Sequence, residues 1–161
     1  MSNPVNSLQS GSESAAPSIL LIDDDVFHCE LLLDMLSDLG VEQILTAHSG
    51  TQALEIFKSA DPKPDLLLCD LCMPGMDGFE FLSRIANKRF QGEVVIMSSY
   101  DHQAPATGDW ALSNYKASAL KLAEKLARVQ GLKVRATLEK PISRQQLGDL
   151  MVQLQNTRVS L

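Results

Sequence analysis

At 161 residues, 45% of them hydrophobic and 21% charged, the chain is long enough for one domain with an ordinary core and a short appendage. A formal net charge of -6 argues against general nucleic-acid binding. No apolar run approaches the roughly 20 residues that span a bilayer, which argues against a membrane role.

Residues 1–17 are rich in Ser, Asn and Gly, with no basic start and no apolar h-region. They read as a disordered leader rather than a signal peptide, so the expected compartment is the cytoplasm. Residues 18–22 form an apolar run that reads as a buried strand and ends in Asp23-Asp24-Asp25. Asp25 suits the N-cap of the helix that follows. That helix carries Phe27, Leu31, Leu32, Met35, Leu36 and Leu39 at helical spacing, and Gly40 stops it.

Residues 43–47 make a second short strand, and Ser49 with Gln52 has the capping-box spacing of a second helix, broken at Asp61-Pro62-Lys63-Pro64. Residues 65–69 are a third buried strand, and Asp70 stands where it ends. The loop after it holds the turn pairs Pro74-Gly75 and Asp77-Gly78, and Asp77 with Glu80 caps the third helix. Residues 94–97 form a fourth strand ending at Ser98-Ser99, and residues 134–138 a fifth ending at Glu139-Lys140-Pro141. Ser143 and Gln146 cap the last helix.

Between the fourth and fifth strands lies a loop over 100–109 and then a long helix to about residue 130. Its Leu112, Tyr115, Ala119, Leu122, Leu126 and Val129 recur at gaps of three and four. That stripe suits a helix packed on its own sheet, and less well a heptad seam between two copies. Strands alternating with helices at these lengths imply an α/β fold of βαβ units with right-handed crossovers and a parallel sheet.

Cys29, Cys69 and Cys72 read as free thiols. The Cys69-x-x-Cys72 spacing is that of a redox or half-zinc site, but no second pair completes it and Asp70 lies inside it.

In a parallel sheet the carboxyl ends of the strands share one edge, where ligands bind. Asp23 and Asp24, Asp70, Ser98 and Lys140 all stand at such ends. Three crowded carboxylates repel one another and call for positive charge. Lys140 supplies one charge, and Mg²⁺, which prefers oxygen ligands and phosphate, supplies more. Asp70 is then the candidate nucleophile for a phosphoryl group, since carboxylates form acyl phosphates. Ser98 and Lys140 would hold the phosphoryl oxygens by a hydrogen bond and a point charge. Pro141 biases Lys140 towards extended backbone, which holds it at the strand end.

The Asp23-Asp24 pair, Asp70 with Met73-Pro74-Gly75-Met76-Asp77-Gly78, Ser98 and Lys140-Pro141 together resemble the receiver domain of two-component response regulators, from about residue 18 to 155. The resemblance implies a three-layer, five-stranded parallel sheet in order 2-1-3-4-5, with helices on both faces and a lengthened fourth helix. It implies a receiver over 18–156 with a tail over 157–161. It also implies phosphoryl transfer to Asp70 from the phosphohistidine of a histidine kinase or histidine phosphotransfer protein. The Mg²⁺ ligands it implies are Asp24 and Asp70 directly, Asp23 through water and the backbone carbonyl of Cys72. A downstream output domain or protein would read a switching face made by helix 4, strand 5 and helix 5, with a phosphorylation-dependent homodimer as one form. Two positions depart from the family pattern: Ser98 replaces the usual Thr, and Thr137 stands where receivers carry an aromatic in the last strand. The run over 122–142 resembles, more weakly, receivers attached to cyclic-di-GMP phosphodiesterase domains.

Two rivals differ in kind. An aspartyl-phosphate phosphatase would need a second acid two residues after the nucleophile, where this chain has Cys72. A phosphorylation-independent interaction module would have no use for the acid pair, nucleophile, hydroxyl and lysine, all of which are present. The expectation is a switch that acts on its own Asp70 and turns over no external substrate.

Overall fold

The computed structural model describes residues 16–98 and 118–160, and the backbone of 110–117. The leader expected over 1–17, apart from its last two residues, and the loop expected over 100–109 lie outside the described residues. Five strands and five helices alternate: β1 (Ser18–Ile22), α1 (Val26–Asp38), β2 (Gln43–Ala47), α2 (Gly50–Ser59), β3 (Leu66–Asp70), α3 (Gly78–Ala86), β4 (Glu93–Ser98), α4 (Trp110–Val129), β5 (Lys133–Glu139) and α5 (Arg144–Val159). The strands form one parallel sheet in the order β2-β1-β3-β4-β5.

Side chains alternate between the two faces of the sheet, and each face builds its own core. On one face Ile19, Leu21, Leu66, Leu68, Val95 and Met97 meet α1 and α5 through Leu32, Leu36, Leu147 and Leu150. On the other, Leu20, Ile22, Leu67, Cys69, Val94 and Ile96 meet α2, α3 and α4. β3 lies at the centre and is buried along its whole length. That is why its sequence is an unbroken apolar run rather than an alternating one. Each fully buried Leu or Ile contributes about 1.5–3 kcal/mol relative to exposure, which makes the strand register costly to shift.

The helix ends follow their caps. Asp25, Ser49, Asp77 and Ser143 each accept a hydrogen bond from the backbone N–H three residues on, and at Ser143 the Gln146 side chain completes a reciprocal box. Gly40 takes φ +86 just past α1, a conformation open to glycine and costly for most other residues.

Two expectations are corrected here. α4 does lie on its own sheet, but not through the stripe expected from spacing. Leu122, Leu126 and Val129 are 54%, 45% and 78% exposed, whereas Leu120, Ala123 and Ala127 are buried. Leu112 and Tyr115, of the same expected stripe, lie where only the backbone is described. The buried stripe is displaced by one residue, because alanines at 123 and 127 let the helix axis come close to β4 and β5 where leucines would hold it off. Leu122→Lys should therefore change stability by no more than about 0.5 kcal/mol. Ala123→Leu should cost about 1–3 kcal/mol in urea unfolding, as an overpacked core position.

The second correction concerns the C-terminus, where residues 157–161 were expected to be a tail. α5 runs on to Val159 and its last turn is anchored. Thr157 accepts a hydrogen bond from Arg135, and Arg158 pairs with Asp65 at 2.8 Å. Arg135 is the residue bulged out of register where β5 pairs with Val94 and Val95, and it also forms a two-pronged ion pair with Glu93. Among the described residues, no helix is long and apolar enough to cross a membrane.

Candidate functional site

The sheet register lines up the acids. Ile22 of β1 pairs with Cys69 of β3, so the next residues, Asp23 and Asp70, leave adjacent strand tips side by side. Asp70 pairs with Met97, one residue before Ser98, and Met97 pairs with Leu138, two before Lys140. The Lys140 N–H donates to the Ser98 carbonyl at 3.0 Å, which ties the two tips together. The lysine stem then reaches across β4. Its Nζ lies 3.1 Å from Asp70 Oδ2 and also pairs with Asp23 Oδ2. The structure thus brings Asp23, Asp70 and Lys140 into contact and sets Ser98 beside them by register.

Asp23 and Asp70 are fully buried, while Asp24 is exposed. One carboxylate oxygen from each of the three lies within 4.8 Å of the others. Oxygen-only donors at this spacing, carrying three negative charges against one lysine, suit a hard divalent cation such as Mg²⁺ or Ca²⁺. Asp25, the next acid in the run, turns away to cap α1, its Oδ1 accepting from the His28 N–H. Cys72 is exposed, and its N–H donates to Asp70 Oδ1 at 3.3 Å. Cys69 is a fully buried free thiol that burial pushes well above its ordinary range. The Cys69/Cys72 pair therefore splits between core and surface.

The electrostatics follow from burial and the shared lysine. Burial pushes the Asp70 carboxyl up to about 6; the Asp23 charge adds to this, and Lys140 and the Cys72 N–H oppose it. At Asp23 burial also acts upward, but hydrogen bonds from His28 and Lys140 outweigh it and hold this carboxyl below its usual value. Burial lowers Lys140, yet its two carboxylate partners more than compensate, so the ammonium is held above its usual value. One acid of the pair is thus held ionised, and the other, Asp70, is the more basic.

The loop after Asp70 is fitted to its place by two glycines. A Cβ on Gly78 would lie 2.3 Å from the Asp70 carbonyl oxygen, and one on Gly50 would lie 2.3 Å from the Met76 carbonyl oxygen. Gly78→Ala must therefore displace the backbone that carries Asp70. It is expected to cost about 1–3 kcal/mol in urea unfolding and to weaken divalent-cation binding measured by calorimetry.

His28 was not singled out from the sequence. It is buried on α1 with its Nδ1 2.6 Å from Asp23 Oδ2. A spacing of five residues across a loop–helix junction matches no local pattern, so only folding reveals the pair. His48, at the tip of β2, also reaches the site, its Nδ1 3.2 Å from the Asp23 carbonyl oxygen.

A sequence model of the response regulator receiver domain matches residues 19–112. The nitrate/nitrite response regulator protein NarL of Escherichia coli (strain K12) is 37% identical over 95 residues, which are 57% of this chain and 42% of NarL. The chemotaxis protein CheY of Bacillus subtilis (strain 168) is 34% identical over 89 residues, 55% of this chain and 72% of CheY. The chain thus spans less than half the length of NarL but most of that CheY. A response regulator receiver domain protein from Clostridium thermocellum superposes with a TM-score of 0.66 at 25% identity, covering 88% of this chain and 96% of its own. In the CheX-CheY-BeF3-Mg+2 complex from Borrelia burgdorferi, the matching chain gives a TM-score of 0.60 at 25% identity, with 87% of each chain covered.

Proposed function

Because the chain belongs to the response regulator receiver family, we propose that it accepts a phosphoryl group on Asp70 from the phosphohistidine of a histidine kinase or histidine phosphotransfer protein. The observation that carries this reading is the lysine shared between two buried carboxylates, beside a third acid, at one strand edge. In the transfer the phosphorus–nitrogen bond of the donor breaks as a phosphorus–oxygen bond forms to Asp70, and the imidazole keeps the electron pair and takes up a proton. Positioning and charge neutralisation carry most of such a reaction. The residues that would hold Mg²⁺ are Asp24 and Asp70, the Cys72 carbonyl, and Asp23 through water. Bound there, it would supply charge neutralisation for the phosphoryl oxygens. The Mg²⁺ and BeF3 in the Borrelia CheY complex support this assignment.

The chain's own residues do the rest. Lys140 leaves a carboxylate for a phosphoryl oxygen, and the Ser98 hydroxyl donates to another. Because the Lys140 N–H is bonded to the Ser98 carbonyl, their adjustment is transmitted along β4 and β5 to the face formed with α4 and α5. Arg128 of α4 reaches the β5 backbone at the Val134 carbonyl, and Thr157 of α5 accepts from Arg135 of β5, so both helices are tied to that strand. That face would be read by an output domain, a separate protein or a second copy. Thr137, half-buried in β5 opposite Ile96, is too small to swing as an aromatic would, so the signal runs through the backbone and the lysine.

The test is to incubate the chain with acetyl phosphate and Mg²⁺, then reduce with borohydride. The expected result is one acid-labile phosphoryl group per chain, with homoserine at position 70 after reduction and none when EDTA is present. A chain that binds no Mg²⁺ and takes no label would instead be an interaction module independent of phosphorylation.

A further inference from the structure

Asp23 has more partners than a cation ligand needs. A carboxylate offers about four acceptor positions. Oδ2 accepts from both Lys140 and His28, and Oδ1 accepts from the Asp25 N–H at 3.0 Å. One position, on Oδ1, is left for a cation or its water. His48 and the Cys29 thiol touch only the backbone carbonyl of Asp23, so they do not orient the carboxylate. A carboxylate can only accept, so His28 donates through Nδ1; Nε2 is buried with no hydrogen-bond partner among the described residues. Among the described residues, the Nδ1 contact is thus the one polar contact of this ring.

Lys140 is committed twice, to Asp23 and to Asp70. As it turns from these oxygens to a phosphoryl group on Asp70 its hold on Asp23 weakens, and a fully buried carboxylate that loses an ammonium partner is left undercompensated. His28 removes that obstacle, because its donated hydrogen bond stays on the oxygen that Lys140 vacates. We propose that His28 is a positioning residue: it holds and partly neutralises Asp23, so that Lys140 is free to move to the phosphoryl group on Asp70. The same hydrogen bond occupies an acceptor position that a divalent cation or its waters would otherwise use, so His28 also weakens cation binding. This inference rests on the phosphoryl-acceptor reading above.

The two effects have opposite signs, which separates this role from simple core packing. In the full chain, His28→Leu is expected to bind Mg²⁺ roughly threefold more tightly by calorimetry, since a competing donor is gone. It is expected to take label from acetyl phosphate at saturating Mg²⁺ roughly tenfold more slowly, since Lys140 now stays on Asp23. His28→Asn, whose amide nitrogen can donate from nearly the place of Nδ1, should bring both values back to within about twofold of the original. Should His28→Leu not fold, His28→Gln serves in its place: its donor sits one bond too far along, and the same split is expected. Tighter Mg²⁺ binding with slower labelling, rescued by Asn, supports the proposal. Weakening of both together, unchanged labelling, or no rescue by Asn overturns it. If the unsubstituted chain takes no label at Asp70, the acceptor reading fails and this proposal with it; labelling without the split defeats the proposal alone.

Discussion

Asp70→Asn is expected to take up no acid-labile phosphate and, at pH 7.5, to be more stable than the unsubstituted protein by about 1–3 kcal/mol. The loss of labelling follows from removing the proposed nucleophile; the gain follows from burial. The Asp70 carboxyl is pushed up to about 6, chiefly by burial, against an ordinary value near 3.9 in an unfolded chain. A carboxyl whose folded value is raised makes the native state bind more protons than the unfolded state between those two values. Stability therefore falls as pH rises from about 4 to about 6, and the full cost is present above that window. Asparagine does not titrate, so the advantage of the variant should appear near pH 4, grow to about pH 6 and then level off. The loss of one partner for Lys140 sets the lower end of the expected range. Asp23, held below its usual value, acts in a separate window: its contribution is lost only as pH falls through its lowered value. Urea unfolding of both proteins at half-unit pH intervals would show the curves diverging; parallel curves, or a less stable Asn variant at pH 7.5, would end this account of the site.

Lys140→Ala should have the largest effect of the opposite sign. It takes an ammonium shared by two fully buried carboxylates and leaves their charges facing each other. Breaking a buried pair by removing one partner costs about 3–5 kcal/mol. A divalent cation can replace the missing charge, because the three acids proposed to hold it are untouched. The variant should melt early in EDTA and recover much of the loss with Mg²⁺, about 2.7 kcal/mol at a hundredfold excess over Kd. The recovery should exceed that of the unsubstituted protein, in which Lys140 competes with the cation for the same oxygens. Melting curves over a Mg²⁺ titration decide the matter: an EDTA-stable variant, or one that Mg²⁺ does not rescue, would mean that the lysine does not neutralise this pair. Labelling at Asp70 should fall as well, since the point charge on the phosphoryl group goes with the amine.

Much of this site was legible along the chain. A parallel strand covered on both faces must be apolar throughout, so β1, β3 and β4 each stop where a polar residue begins, and Asp23, Asp70 and Ser98 are those residues. The N-caps were legible for a similar reason, because a short polar side chain three residues before a backbone donor acts locally. The buried face of α4 was not. Its sequence carries two apolar stripes one residue apart, and the sheet accepted the one with alanines because only it permits close approach. Nor was the end of α5, which depends on Arg135 of β5 and on Asp65, just before β3, both distant in sequence.

The amino-acid sequence by itself determined which chemistry stands at each strand tip: acids, a hydroxyl and an amine, each placed by a local rule of burial or capping. Tertiary structure alone decided that Lys140 spans β4 to join two carboxylates and that His28 closes on Asp23. Those contacts arise from strand order and helix placement, and both are settled by covering two faces of one sheet at once, a requirement that no short stretch of chain can express.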